Sequence, residues 1–243
     1  MAGPVVIFVP GFMQHGDAWA PVAELVAERY PSAWLDFRTH GFEARLGELR
    51  AAAGPGTVPV GYSMGGRLAL HLAVREPERF AGLVTIGASP GIDDPDERRR
   101  RRNADEELAA WMEFSTIEEV VDRWERVPAL AGQSEELVER QRAGRLEHDP
   151  RLLAQLLRSA GQGALPGIFE ELRRLRIPVL ALAGERDERY IQAARRIALL
   201  APRGDHLPVM DAGHAAHLER PETVAGLLLD FLDQHLGEGG VVD

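Results

Sequence analysis

The sequence predicts an α/β fold: a mainly parallel central sheet with helices on both faces, interrupted once by a helical insertion. Three observations carry this. Short β-branched apolar runs alternate with segments of helical spacing, the pattern of strand–helix–strand units. The runs are almost uniformly apolar, as strands buried on both faces must be. One stretch, Ile92 to Ile168, breaks the rhythm and holds helical spacing throughout.

Taken in order, Val5–Val9 is a buried strand bounded by Pro4 and Pro10-Gly11. Ala20–Arg29 is a helix and Ala33–Phe37 a second strand. Phe42–Ala53 is a helix stopped by Gly54-Pro55-Gly56. Thr57–Gly61 is a strand running into Tyr62-Ser63-Met64-Gly65-Gly66, and Arg67–Arg75 is the helix behind it, stopped by Pro77. Pro59 sits awkwardly here, because a central strand needs every backbone donor. Leu83–Ile86, Pro178–Ala183 and Leu207–Met210 are strands; Tyr190–Leu200 and Pro221–His235 are helices, the last with proline in its first turn. The tail Gly237–Asp243 is glycine-rich and expected to fray. The expected organisation is a core of 1–91 and 169–243, with 92–168 as a helical lid. A lid inserted there sits over the carboxyl ends of the strands, where open α/β sheets bind ligands.

Composition narrows the chemistry. The 243 residues suit one domain with an insertion. There is no cysteine, which removes disulfides, thiolate metal sites and a cysteine nucleophile. There is no lysine, which removes Schiff-base chemistry, and all 28 basic residues are arginine. Arginine keeps its charge and grips carboxylates with two parallel hydrogen bonds. The net charge of −10 argues against a nucleic-acid partner. The N-terminal run lacks a basic region and breaks at Pro10, and no apolar stretch is long enough for a membrane span. The expectation is a cytoplasmic protein without membrane contact, a monomer or small homo-oligomer.

Gly61-Tyr62-Ser63-Met64-Gly65 follows a strand and opens a helix, the setting in which G-x-S-x-G presents a nucleophilic serine on a tight turn. The helix N-terminus aims amide dipoles at developing negative charge. Such a serine needs an acid and then a histidine later in the chain. Asp187 follows the strand Pro178–Ala183, with Glu185 two residues away as its rival. His214 follows Leu207–Met210. His71, His148 and His235 fall on helical segments as surface or filler residues, His206 precedes a strand, and His217 reads as a packing residue or one that supports the site from behind. His214-x-x-His217-x-Glu219 lacks the spacing of a helical metal pair, so neither metal nor cofactor is expected. The oxyanion donors expected are the Met64 amide and, in the loop after the first strand, the Phe12 amide.

These residues resemble the α/β-hydrolase superfamily. Within it, Gly61–Arg67 resembles the 2-succinyl-6-hydroxy-2,4-cyclohexadiene-1-carboxylate synthase family of menaquinone biosynthesis. So do Gly87–Gly91 with the arginine-rich stretch behind it, Trp124-Glu125 and Gly161-Gln162-Gly163. Gly184–Asp187 and Ala212–His214 with His217, Glu219 and Pro221 complete the match. The resemblance implies an α/β-hydrolase fold and a lyase that eliminates pyruvate from an enolpyruvyl-cyclohexene tricarboxylate, with Ser63, His214 and Asp187 acting as a base. It implies Arg101, Trp124 and Arg145 as substrate-binding residues for a small polycarboxylate, although Trp124 reads equally as a core residue of the lid. Arg67, one helical turn after Ser63, falls on the rim of the same pocket, and Tyr62, beside the nucleophile, either lines that pocket or packs. Arg101 belongs to the run Arg98–Arg102, otherwise a solvated face among acidic neighbours, and Asp and Glu outnumber Arg across the insertion. The family carries His-Gly where this chain has Pro10-Gly11; that histidine braces the oxyanion loop, and His15 is its nearest replacement here. A serine hydrolase acting on a carboxylate-bearing ester or a vinylogous diketone uses the same three residues equally well. A non-catalytic ligand-binding relative is argued against by the intact three.

Overall fold

The computed structural model describes residues 4–236, so the tail from Gly237 lies outside it. Six strands form one parallel sheet in the order β2-β1-β3-β4-β5-β6: β1 Val6–Val9, β2 Ser32–Trp34, β3 Val58–Tyr62, β4 Leu83–Ile86, β5 Val179–Gly184 and β6 Gly204–Val209. Helices α1 (Ala20–Ala27), α2 (Phe42–Ala52) and α3 (Met64–Arg75) link the first four strands. Four helices follow β4: α4 Pro95–Met112, α5 Ile117–Glu125, α6 Glu135–Leu146 and α7 Pro150–Ala160. A single turn, α8 (Phe169–Leu172), leads into β5; α9 (Glu188–Leu200), α10 (Ala216–Glu219) and α11 (Pro221–Leu236) complete the described residues.

Alternation along the strands divides the core in two. Val6, Phe8, Val58, Val60, Val84, Ile86, Leu180 and Leu182 face α1 and α11, meeting Trp19, Val22, Val26, Leu228 and Phe231. Ile7, Val9, Leu83, Val179, Ala181 and Ala183 face the other way, toward Leu46, Leu49, Leu68, Leu72 and Ile197. The middle strands are buried on both faces, which is why they read as continuous apolar runs.

Two strands differ from the sequence reading by more than one residue at an end. β2 is shorter than Ala33–Phe37 because it ends with its partner, in the register Val6↔Ser32 to Phe8↔Trp34. β6 starts earlier, at Gly204, because it pairs along the whole of β5, and His206 therefore lies inside it. As an edge strand it leaves Leu207 partly exposed and tolerates Pro208. Pro59 fits β3 because its ladder with β4 begins one residue later, at Val60↔Val84. Val58 and Ser63 donate to Val5 and Ile86 on opposite neighbours, so alternation turns the missing Pro59 donor toward β4, before that ladder starts.

The α4–α7 helices carry their own start signals. Asp94 accepts the Asp96 and Glu97 amides, Thr116 and Glu119 form a reciprocal capping box, and Ser134 and Asp149 cap α6 and α7. His148 lies on the turn between α6 and α7, a correction to its helical reading. Among the described residues no helix is long and apolar enough to cross a membrane.

The topology already places a site. β1 connects through α1 to β2 on one side, while its other neighbour β3 connects through α3 to β4 on the opposite side. Connections that diverge from adjacent strands leave a crevice between their carboxyl ends. The loop after β1 carries Phe12, and the turn after β3 carries Ser63.

Candidate active site

Ser63 occupies the turn between β3 and α3 with φ 49° and ψ −108°, a strained conformation for a residue with a side chain. The neighbourhood enforces it: the Ser63 amide donates to the Ile86 carbonyl at 2.8 Å and the Arg67 amide to the Ser63 carbonyl at 3.1 Å. α3 packs so tightly on β1 that a Cβ at Gly65 would lie 2.5 Å from the Pro10 carbonyl oxygen. The result is a serine held at a helix N-terminus with its hydroxyl free to point outward.

Two loops from the far side of the sheet meet it. His214, in the loop after β6, has Nε2 3.1 Å from Ser63 Oγ. Its Nδ1 is 2.6 Å from Asp187 Oδ2, on the turn after β5. With the proton on Nδ1, His214 donates to Asp187 and accepts from the serine hydroxyl. Glu185, the rival acid, faces away and accepts the Asp211 amide at 3.0 Å. The imidazole lies between the rings of Tyr190 (4.4 Å) and Tyr62 (5.2 Å), and Glu219 fixes its loop by accepting the Gly213 amide at 2.6 Å.

This relay opens into a cavity of about 610 Å³ lined by α4, α5, the α5–α6 connection and α7. Phe12, Met64, Arg67, Arg101 and Trp124 line it. Trp124 sits edge-on to Phe12 at 5.3 Å, so it lines the cavity and packs at once. Arg67 is buried; its Nη1 donates to the Ala160 carbonyl at 2.7 Å, and no carboxylate lies within ion-pair distance among the described residues. Burial foremost, with the Arg101 charge adding to it, lowers its pKa to about 10. Arg101 alone of the Arg98–Arg102 run faces the cavity, held by Asp105 at 2.8 Å and Gln162 at 3.0 Å.

Two suggested residues lie elsewhere. Tyr62 is buried beneath His214 and His217 and does not line the cavity. Arg145 turns onto Glu125 at 3.0 Å and borders a separate cavity of about 500 Å³ beside α6. Glu125 captures it because a carboxylate within reach pairs with a buried guanidinium more strongly than a neutral acceptor does. Two arginines the sequence reading passed over, Arg186 and Arg189, line the Ser63 cavity instead. Arg186 pairs with Asp211 at 3.0 Å, and Arg189 donates to Gln162 Oε1 at 3.2 Å. Their signal was their place: both flank Asp187 at the carboxyl end of β5.

His15 does not brace the loop after β1. It stacks on His148 at 4.4 Å, and Gln14 takes the bracing position by accepting the Gly11 amide at 3.1 Å. His217 and Glu219 are each engaged with protein groups, Gln14 and the Gly213 amide.

The fold, the strained serine turn and the three aligned side chains define a class. Residues 6–227 match the model of the alpha/beta hydrolase family, and the chain belongs to that family. Within it, the chain is 27% identical to the 2-succinyl-6-hydroxy-2,4-cyclohexadiene-1-carboxylate synthase of Yersinia pseudotuberculosis, over 96% of this chain and 89% of that one. A Bacillus subtilis relative, provisionally named as the same synthase, is 34% identical over 71% of this chain, a match that spans 64% of the relative's length. The structure of MenH from S. aureus superposes with a TM-score of 0.89 at 27% identity, covering 96% of this chain and 94% of that one. An esterase from Thermogutta terrifontis, at 23% identity and a TM-score of 0.72, shares the fold over 95% of this chain and 90% of that one.

Proposed function

We propose that the protein is a 2-succinyl-6-hydroxy-2,4-cyclohexadiene-1-carboxylate synthase, a cytoplasmic lyase that eliminates pyruvate from 2-succinyl-5-enolpyruvyl-6-hydroxy-3-cyclohexene-1-carboxylate. The observation that carries this is the buried Arg67 guanidinium, without a carboxylate partner among the described residues, on the wall of the cavity that holds Ser63 and His214. A buried cation lacking a counter-ion is completed by an anionic substrate. The names of the relatives support the same chemistry.

Ser63 Oγ passes its proton to His214, whose imidazolium Asp187 stabilises. The serine oxygen takes the proton from the ring carbon beside the succinyl carbonyl. The resulting enolate oxygen rests on the Phe12 and Met64 amides. The electrons then move through the ring and break the carbon–oxygen bond to the enolpyruvyl group, which takes up a proton and leaves as pyruvate. No acyl-enzyme forms. Arg67 and Arg101 hold substrate carboxylates. Residues 92–168 act as the lid over a core of 1–91 and 169–243, bringing Arg101 and Trp124 against the substrate.

The test is pyruvate release from freshly made substrate, beside p-nitrophenyl acetate as an ester control. Wild-type protein is expected to release pyruvate, and Ser63→Ala to lower kcat by roughly three orders of magnitude or more. Ester cleavage without pyruvate release would overturn the lyase reading in favour of a serine hydrolase. Pyruvate release retained in Ser63→Ala would overturn the serine as base.

A further inference from the structure

The loop after β1 carries the Phe12 amide, and its tether is a side chain. Pro10 has no N–H, so the Gly11 amide is the first donor that can anchor this loop. It donates to Gln14 Oε1 at 3.1 Å. The other end of the same amide, Gln14 Nε2, lies 3.4 Å from His217 Nε2. His217 is completely buried on α10, between the rings of Trp19 and Tyr62, each at 4.3 Å. Burial, and then the nearby His214, push its pKa down to about 3, so its ring is neutral at working pH. Gln14 Nε2 can only donate, so His217 Nε2 accepts and its proton sits on Nδ1.

The contacts thus form a chain from α10 through His217 and Gln14 to Gly11, one residue before Phe12. The loop needs holding. Met13 sits in it with φ 57°, a left-handed conformation that a non-glycine residue keeps only when its surroundings impose it. A Cβ at Gly11 would lie 2.6 Å from the Tyr62 ring, so the loop already presses against the residue beside Ser63.

We propose that Gln14 is a positioning residue: clamped to α10 by His217, it fixes the loop after β1 so that the Phe12 amide stays aimed at the oxygen that becomes negative in the reaction. The proposal rests on the reading of Ser63, His214 and Asp187 as the reacting relay and of Phe12 as an oxyanion donor. Its effect falls on the chemical step and not on substrate binding, because the negative charge on that oxygen develops only on the way to the enolate.

The test compares wild type, Gln14→Ala and Gln14→Glu as full-length proteins. Gln14→Ala removes both contacts. Gln14→Glu keeps an acceptor for the Gly11 amide, and His217 can meet the carboxylate by carrying its proton on Nε2. Two rates are read: pyruvate release, and labelling of Ser63 by a fluorophosphonate, whose phosphoryl oxygen uses the same donors whatever the natural substrate is. Gln14→Ala is expected to lower kcat and the labelling rate by about 10- to 100-fold, since misplacement by about 1 Å costs that much. KM is expected to stay within about twofold, and Gln14→Glu to recover most of both rates. Should Gln14→Ala fail to fold, Gln14→Met preserves the volume and carries the same expected loss.

A raised KM at unchanged kcat, a lowered melting temperature with full rates, or a Gln14→Glu variant as slow as Gln14→Ala would each overturn the clamp. Wild-type protein that labels but releases no pyruvate overturns the lyase reading alone, and the clamp is then judged on the labelling rate. Wild-type protein that does neither overturns both.

Discussion

At the scale of single residues, Arg67 joins charge, burial and chemistry. Its guanidinium is buried, has only a carbonyl acceptor among the described residues and remains charged at neutral pH even with its pKa lowered to about 10. A carboxylate arriving in the cavity supplies the charged partner the protein withholds, through hydrogen bonds stronger than neutral ones. Arg67→Ala is therefore expected to raise KM and lower kcat/KM for the tricarboxylate by roughly 10- to 100-fold, about 1.4–2.7 kcal/mol. Fluorophosphonate labelling of Ser63, which needs no anion site, is expected to change by less than about threefold. Steady-state kinetics and labelling of one preparation check both, and an unchanged KM removes Arg67 from substrate binding. Residues of this kind were readable from the sequence in unequal measure. Ser63 was legible because a strand-to-helix turn tolerates few sequences, and His214 because it follows a strand. Arg101 was distinguishable from its neighbours only by the resemblance. Arg145 was misplaced because position along the chain says nothing about a nearby Glu125 that captures the side chain. Gln14 was invisible, since a glutamine five residues past a strand has no pattern until the loop folds back on itself.

At the scale of elements, the turn from β3 into α3 is the most constrained piece of the molecule. Its tightness comes from backbone meeting backbone: α3 lies against the carboxyl end of β1, and Gly65 faces the Val9 and Pro10 carbonyls. Gly65→Ala forces β1, α3 or both to move, and with them the Phe12 loop and Ser63. The expected cost is about 2–4 kcal/mol of stability, together with loss of labelling at Ser63. Gly226, on the exposed side of α11, provides the contrast, because a Cβ there meets nothing within 4 Å. Gly226→Ala is expected to stabilise by about 0.5–1 kcal/mol through the helix propensity of alanine, with labelling unchanged. Thermal unfolding with fluorophosphonate labelling reads both, and a harmless Gly65→Ala would disprove the packing account of the turn. Elements were legible where one local rule dominates: buried parallel strands are continuous apolar runs, and helix starts follow caps and prolines. Boundaries were not, because a strand ends where its neighbour stops pairing. β2 stops with β1, β6 runs the length of β5, and Pro59 is harmless only because the β4 ladder begins after it.

At the scale of the whole molecule, the buried histidines make stability a function of pH. Burial, as the leading cause, lowers the pKa of His71 and His148 to about 4 and of His217 to about 3. His40 and His235 are lowered as well, again with burial first. In the unfolded chain the same rings titrate near 6.5. Between those values the unfolded chain binds protons that the folded one refuses, so stability rises with pH across that interval. The full contribution is present above about pH 6.5 and is lost as pH falls toward 4. For His71, fully enclosed against Phe42, the loss from pH 7 to pH 4.5 amounts to about 2–3 kcal/mol. The rings of His71, His148 and His217 together approach the stability of a typical domain, on the order of 5–15 kcal/mol. Acid unfolding is therefore expected to begin above pH 4.5, before most carboxylates are protonated. The lowered pKa values of Glu43, Glu48 and Asp233 place the loss of their stabilisation lower still. Urea unfolding at pH 7 and pH 4.5 measures the total. His71→Leu removes one titrating ring at similar volume and is expected to shrink the difference between the two pH values by about 2 kcal/mol or more. An equal difference in wild type and variant would mean that His71 does not resist protonation in the fold, and the acid sensitivity would then have to come from carboxylates.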